Sequence, residues 1–394
     1  MGIKALYLHI PFCRARCAYC DFETRAYGAC ELDAAAATYC AGLTARLDAF
    51  GEAGALADVE TVYIGGGTPS VLGGRLPELV RRVRRWFAPD EFTCEANPES
   101  FTDDLAGALA AAGVTRISLG VQSLDDAELR AIGRIHDAAT ALTAIARAKR
   151  FGFSASCDLM CGLPGQTLVS WGRTLDAALA AGPDHVSVYP LQVEEGTPLA
   201  HRIEAGEISV PDEDFQADAM ELARARLTAA GLHPYEVASY ARPGRACRHN
   251  IAYWTGASYL GLGRSAAGMM TAGEFRRFAS FFPDVPCPSD GASRIRIKQL
   301  DDAATSFEVE TLTAREALAE DLMLACRMTA GIPADLLRRA ATVIPATDLS
   351  HACERAVSLG LATWSGDALI PTNLGWLDGN ELFELFWDLA DDAA

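Results

Sequence analysis

The chain has 394 residues, with 34 Lys plus Arg against 52 Asp plus Glu and a formal net charge of −18 at pH 7. That excess of acid argues against a nucleic-acid partner, which needs a basic face, and a composition half hydrophobic and 22% charged excludes disorder as the main state. No run of roughly 18 apolar residues occurs and the N-terminus lacks a secretory pattern, so a cytoplasmic protein without a transmembrane segment is expected. There its 12 cysteines serve as core residues, metal ligands or reactive thiols, not as disulfides.

Six apolar, β-rich runs follow one another, each trailed by an amphipathic stretch of helical period: ALYLHI (5–10), TVYIGG (61–66), FTCEAN (92–97), RISLGV (116–121), SASCDLM (154–160) and HVSVYPL (185–191). Gly65, Glu95, Gln122, Asp158 and Tyr189 at their tips are separated by 30, 27, 36 and 31 residues. This βα period predicts an α/β fold with a parallel sheet and right-handed crossovers. Six units suggest a partial, open-sided (βα)6 barrel, although a doubly wound sheet gives the same repeat; either way the functional groups belong at the C-terminal ends of the strands.

Beyond Tyr189 come a loop (194–199), a long helix (211–231), and an irregular stretch rich in aromatic residues and glycine (233–268) that reads as a cap or accessory layer. A turn-rich segment (283–290) and a strand (293–300) follow, then helices, a short hairpin (LATWSGDALIPT) and a last helix, together resembling a small winged-helix module. The expected organisation is a barrel over 1–200, an accessory region over 201–305 and a helical C-terminal domain over 306–394. With so few bases, that last domain reads as a packing or partner domain and not as a DNA reader.

HIPFCRARCAYCDF places Cys13, Cys17 and Cys20 on the loop after the first strand. Three thiolates there can hold three irons of a [4Fe–4S] cube and leave one iron with an open position. The alternatives are a zinc site completed by His9, Cys30 or Cys40, which lacks the usual two-plus-two spacing, and buried structural cysteines, for which Arg14 and Arg16 make a poor core segment.

This CxxxCxxC spacing after YLHIPF, with Tyr19 between the last two cysteines, resembles the radical S-adenosylmethionine (SAM) superfamily, and the chain as a whole is similar to its HemN/HemW branch. The resemblance implies that Cys13, Cys17 and Cys20 hold a [4Fe–4S] cluster whose fourth iron is chelated by SAM. It also implies that an electron from a donor such as a flavodoxin or ferredoxin can cleave the sulfonium to a 5′-deoxyadenosyl radical. By the same resemblance Gly66, Gly67 and Thr68 contact the methionine part of SAM, Glu95, Gln122, Arg134 and Asp158 surround the rest, and Tyr7 and Tyr19 lie beside the cluster.

Within the branch two functions stand side by side: oxygen-independent coproporphyrinogen III dehydrogenase, and a haem chaperone that carries haem to acceptor proteins. Phe22 occupies the position where the dehydrogenase resemblance expects a fourth cysteine, and only six residues precede Tyr7, where that enzyme has an extended segment. RHNIAYW (248–254) is similar to the HNxxYW motif of the chaperone group, which implies His249 and Tyr253 as an iron ligand and its polar neighbour, with haem between the barrel opening and the 233–268 layer. Read alone, the same residues can cap and pack a helix. Arg264–Ala267 replaces the Pro-Gly-Ala-His of the relatives, which keeps open a different radical SAM activity.

Overall fold

The computed structural model describes residues 2–391. Six parallel strands, β1 (Ala5–Ile10), β2 (Thr61–Gly66), β3 (Glu91–Ala96), β4 (Arg116–Gln122), β5 (Ser154–Cys161) and β6 (His185–Pro190), lie side by side in chain order. Helices α1 (Ala29–Glu52), α2 (Arg75–Arg84), α3 (Asp103–Ala112), α4 (Asp126–Ala131), α5 (Ala138–Arg150) and α6 (Leu168–Ala181) fill the crossovers. A polar residue sets the start of α3, α5 and α6: Thr102, Asp137 and Thr167 accept the backbone N–H groups of Leu105, Thr140 and Ser170.

Alternation decides which face of the sheet becomes core. Leu6, Leu8, Ile10, Val62, Ile64, Ile117 and Leu119 are fully buried in the main core cluster. Across the six strands the intervening positions carry polar side chains: Tyr7, His9, Tyr63, Glu95, Ser118, Asp158 and Ser187. Register aligns Tyr7 with Tyr63, Glu95 with Ser118 and Asp158 with Ser187, so the partial barrel has a polar lumen.

Of the two readings its sequence left open, cap or accessory layer, the stretch 233–268 takes the second. After α7 (Pro198–Glu204) and α8 (Glu213–Ala229), β7 (His233–Pro234) and β8 (Ser239–Ala241) extend the sheet antiparallel beyond β6. α9 (Arg248–Trp254) leads into β9 (Tyr259–Leu262), which pairs parallel with β1 on the opposite side. β10 (Ala267–Thr271), α10 (Ala272–Phe278), β11 (Ala292–Gln299) and β12 (Phe307–Thr313) complete a twelve-stranded sheet of order β12-β11-β10-β9-β1-β2-β3-β4-β5-β6-β8-β7. The accessory region thus continues the barrel sheet on both sides, and sheet structure runs on to Thr313.

α9 sits at the N-terminal ends of the strands. Arg248 pairs with Glu60 (3.3 Å) and Asp90 (2.8 Å), just ahead of β2 and β3, and the Glu91 carboxylate accepts the backbone N–H groups of Arg248 and His249 at 3.0 Å each.

The C-terminal module comprises α11 (Ala314–Cys326), α12 (Ala334–Ala340), α13 (Ala346–Ser358), the hairpin β13 (Ala362–Ser365) and β14 (Ala368–Pro371), α14 (Asn373–Leu377) and α15 (Gly379–Trp387). It has its own core around Leu322, Ile332, Leu361 and Phe386. Arg294 of β11 docks it through Glu320 and Asp321, both at 2.7 Å. Among the described residues no helix is long and apolar enough to cross a membrane.

Candidate functional site

Cys13, Cys17 and Cys20 line a lumen cavity of about 350 Å³, together with Tyr19, Gly66, Gly67, Thr68, Glu95, Gln122, Arg134 and Asp158. The loop carrying the cysteines is held at several points. Phe12–Cys13 pairs with Arg25–Ala26, Ala18 donates its N–H to the Ile132 carbonyl at 2.9 Å, and the Ala18 carbonyl accepts from Leu199 N–H at 2.8 Å. Cys13 Sγ lies 3.4 Å from Thr68 Oγ1, and Arg134 Nη1 donates to Cys17 Sγ at 3.3 Å. Burial raises the Cys13 thiol and pushes Cys20 up to about 11; a bound metal ion reverses that preference by supplying the positive charge a thiolate needs.

Among the described residues the zinc reading gains no ligand. His9 is buried, with Nδ1 on the Tyr7 hydroxyl at 3.0 Å, and Cys40 lies on α1 outside the lumen lining. The Cys30 side chain is outside the described set. Among the described residues no three His, Cys, Asp or Glu side chains converge on one ion site. A cube makes no such demand, because each thiolate takes its own iron.

The glycine tip is fitted to the cysteine loop. A Cβ on Gly66 (φ +111°) would stand 2.6 Å from the His9 ring, and one on Gly67 would stand 2.7 Å from the Phe12 carbonyl oxygen and 3.1 Å from Cys13 Sγ. With no side chains there, Gly67 and Thr68 donate their N–H groups to the Ile10 and Phe12 carbonyls at 2.9 and 2.7 Å. The result is a close backbone wall beside the cysteines.

The polar tips form one network. Arg134 Nη2 donates to Asn97 Oδ1 (2.8 Å) and the Gly120 carbonyl (2.5 Å), while Asn97 Nδ2 donates to Thr68 Oγ1 (3.1 Å). Asn97 was not singled out in the sequence, although it too is polar and directly follows a strand. Gln122 holds φ +68° at the end of β4, the sparsely populated left-handed region that clusters at functional sites. Ser118 Oγ donates to Asp158 at 3.0 Å, and burial raises the Asp158 carboxyl. Tyr7 is the exception: it lines a neighbouring cavity and not this one.

Glu95 accepts from Tyr63 (2.7 Å) and from Gly66 N–H (3.1 Å), yet burial, with Asp158 nearby, pushes its carboxyl up to about 7. A carboxyl whose folded value exceeds its unfolded one stabilises the fold when protonated, and that contribution is lost as pH rises through the folded value. The ligand-free protein is therefore expected to lose up to ~3 kcal/mol of unfolding free energy from this group between about pH 4.5 and 7. Denaturant titrations of parent and Glu95→Gln across that range should diverge accordingly; parallel curves would show that Glu95 is not the titrating group.

His249 is 1% exposed, and both ring nitrogens are engaged: Nδ1 with Thr61 Oγ1 and Nε2 with the Tyr253 hydroxyl, each at 3.0 Å. Burial drives its pKa down to about 3, so the ring is neutral. Tyr253 packs against Tyr259, with ring centroids 4.4 Å apart and planes tilted by 56°. This is the helix-packing arrangement that the sequence also allowed, and α9 lies at the N-terminal ends of the strands, across the lumen from the cysteine loop. The motif nonetheless lines a second cavity of about 380 Å³, whose wall at Tyr63, Glu95 and Asn250 it shares with the first.

The pattern that defines the radical SAM superfamily matches residues 7–178. Heme chaperone HemW of Mycobacterium tuberculosis strain H37Rv is 39% identical over 381 residues, covering 94% of each chain. Its counterpart in Bacillus subtilis is 30% identical, covering 98% of this chain and 99% of its own. Coproporphyrinogen III oxidase (HemN) from Escherichia coli, a radical SAM enzyme, shares 21% identity and superposes with a TM-score of 0.77 over 98% of this chain and 90% of its own, which makes the fold common to both.

Proposed function

This chain belongs to the HemW family of the radical SAM superfamily, and from that premise we propose that it binds a [4Fe–4S] cluster, SAM and haem and delivers haem to acceptor proteins. The observation that carries the reading is the gathering of Cys13, Cys17 and Cys20 with a side-chain-free glycine wall and the Glu95, Asp158 and Arg134 network in one lumen. The cluster, when bound, supplies one-electron chemistry and an iron with an open position for the amino-acid part of SAM.

The chain's own groups orient and enclose. Gly66, Gly67 and Thr68 offer backbone against the methionine part; Glu95, Gln122 and Asp158 face the remainder; Arg134 fixes Cys17 relative to β4. Tyr19 closes the lumen beside the cysteines, and Tyr7 acts through His9. A flavodoxin or ferredoxin as electron donor, and a cytoplasmic site of action, belong to the same proposal. Phe22, 61% exposed where the dehydrogenase resemblance expects cysteine, supports the chaperone over coproporphyrinogen chemistry.

For haem, we propose His249 as a ligand with Tyr253 as its polar neighbour, which requires Tyr253 to release Nε2. Anaerobic haem titrations test this with two variants. His249→Ala is expected to weaken haem binding about tenfold with the cluster intact, the order of one lost ligand bond, while Tyr253→Phe, which frees Nε2, should bind at least as tightly as the parent. Identical titrations for His249→Ala and the parent would return the motif to a packing role.

A further inference from the structure

The Arg264-Ser265 pair is the part of the sequence that the resemblance leaves without a role. It sits on the turn between β9 and β10, and that turn is rigidly mounted. Gly263 (φ +103°) approaches so closely that a Cβ would stand 2.4 Å from the Tyr39 hydroxyl. Tyr39, buried on α1, donates that hydroxyl to the His9 carbonyl (2.8 Å) and accepts Arg264 N–H (3.1 Å). Gln299 of β11 accepts Gly263 N–H on its side chain (3.2 Å) and Ser265 N–H on its carbonyl (2.7 Å). Ser265 is held at φ +63°, a conformation that a non-glycine residue keeps only when its surroundings over-determine it.

Both side chains of the mounted pair reach one carboxylate. Arg264 Nε donates to Glu23 Oε1 at 2.5 Å, Arg264 Nη2 lies on the same oxygen, and Ser265 Oγ donates to Glu23 Oε2. Glu23 is the third residue after Cys20. Two residues further on, Arg25 pairs with Asp302 at 3.3 Å and donates its N–H to the Pro11 carbonyl at 2.8 Å. Cys13 and Cys17 are therefore held by Thr68 and Arg134, and the outgoing limb by the Pro11 carbonyl and by Arg264 and Ser265, some 240 positions away in sequence.

We infer that Glu23, Arg264 and Ser265 are positioning residues that clasp the outgoing limb of the cysteine loop to the β9–β10 turn and so fix Cys20 at the lumen. The inference rests on the cluster reading above. Glu23 and Arg264 are partly exposed, with side chains at 46% and 27%, so the clasp is a screened surface interaction and its effect falls on the lifetime of a loop-bound group, not on the fold.

The test uses the full chain, reconstituted anaerobically with iron and sulfide, as parent, Glu23→Ala, Arg264→Ala and the double variant. Cluster absorbance is followed under a ferrous chelator at low salt and at about 1 M salt, beside the electron paramagnetic resonance spectrum of the reduced cluster and the thermal midpoint. Each single variant is expected to lose its cluster about three- to fivefold faster at low salt, the size of one exposed ion pair. The double variant should be no faster than either single, the difference should close at high salt, and the midpoint should not move. Parent-like rates in both singles, or additive losses in the double variant, would overturn the clasp. A parent that takes up no cluster would instead overturn the cluster reading itself, and the clasp with it.

Discussion

The Cys17→Ser protein is expected to leave anaerobic reconstitution nearly colourless, with iron and sulfide well below one cluster per chain. Cys17 is the middle ligand of the loop, and its sulfur already faces the lumen 3.3 Å from Arg134. Thiolate is the cluster's preferred donor and the serine hydroxyl stays protonated in its place. Two remaining thiolates leave two irons of the cube without protein ligands. The substitution also leaves Arg134 facing a neutral hydroxyl, although Asn97 and the Gly120 carbonyl still hold that guanidinium, so the fold should survive. Iron and sulfide analysis with far-ultraviolet circular dichroism reads both parts. Full iron and sulfide in a folded Cys17→Ser protein would sink the ligand assignment.

Replacing Arg294 by methionine is expected to cost about 3–5 kcal/mol of stability, the largest effect on folding that the structure points to. Arg294 spans Glu320 and Asp321, whose side chains are only 7% and 8% exposed, and its removal strands buried negative charge. Arg296 on Glu320 and Arg339 on Asp321 remain, which places the loss toward the lower end of that range. Burial already raises the Asp321 carboxyl, and Arg294 is the first of the groups pulling it down. Without Arg294 it rises further, so protonation relieves the variant: its deficit should be greatest near neutral pH and shrink as pH falls through the carboxylate range. Urea unfolding near neutral pH and again at about pH 4 checks this, and a constant deficit would mean that lost packing, not stranded charge, is responsible.

The barrel was legible because its signal is local. Each of the six runs carries its own alternation, and every one forms a strand within a residue or so of the expected ends. The cysteine loop and glycine tip were legible for the same reason, since spacing alone puts three thiols on one loop. The 233–268 stretch was not. Ser239–Ala241 and Tyr259–Leu262 are too short to show a period, and β9 pairs with a strand more than 250 residues earlier, a contact with no local signature. HNxxYW likewise hid its orientation: the partner of His249 Nδ1 is Thr61 at the start of β2, far off in sequence. Arg264 looked like a loss against the relatives' pattern until Glu23, far off in sequence, supplied its partner.

Haem carriage is tested by an anaerobic haem titration of the reconstituted protein, followed optically, beside an assay of the same sample for coproporphyrinogen decarboxylation with SAM and reductant. Saturable haem binding without decarboxylation is the predicted result; decarboxylation, or the lack of any saturable haem binding, would contradict it.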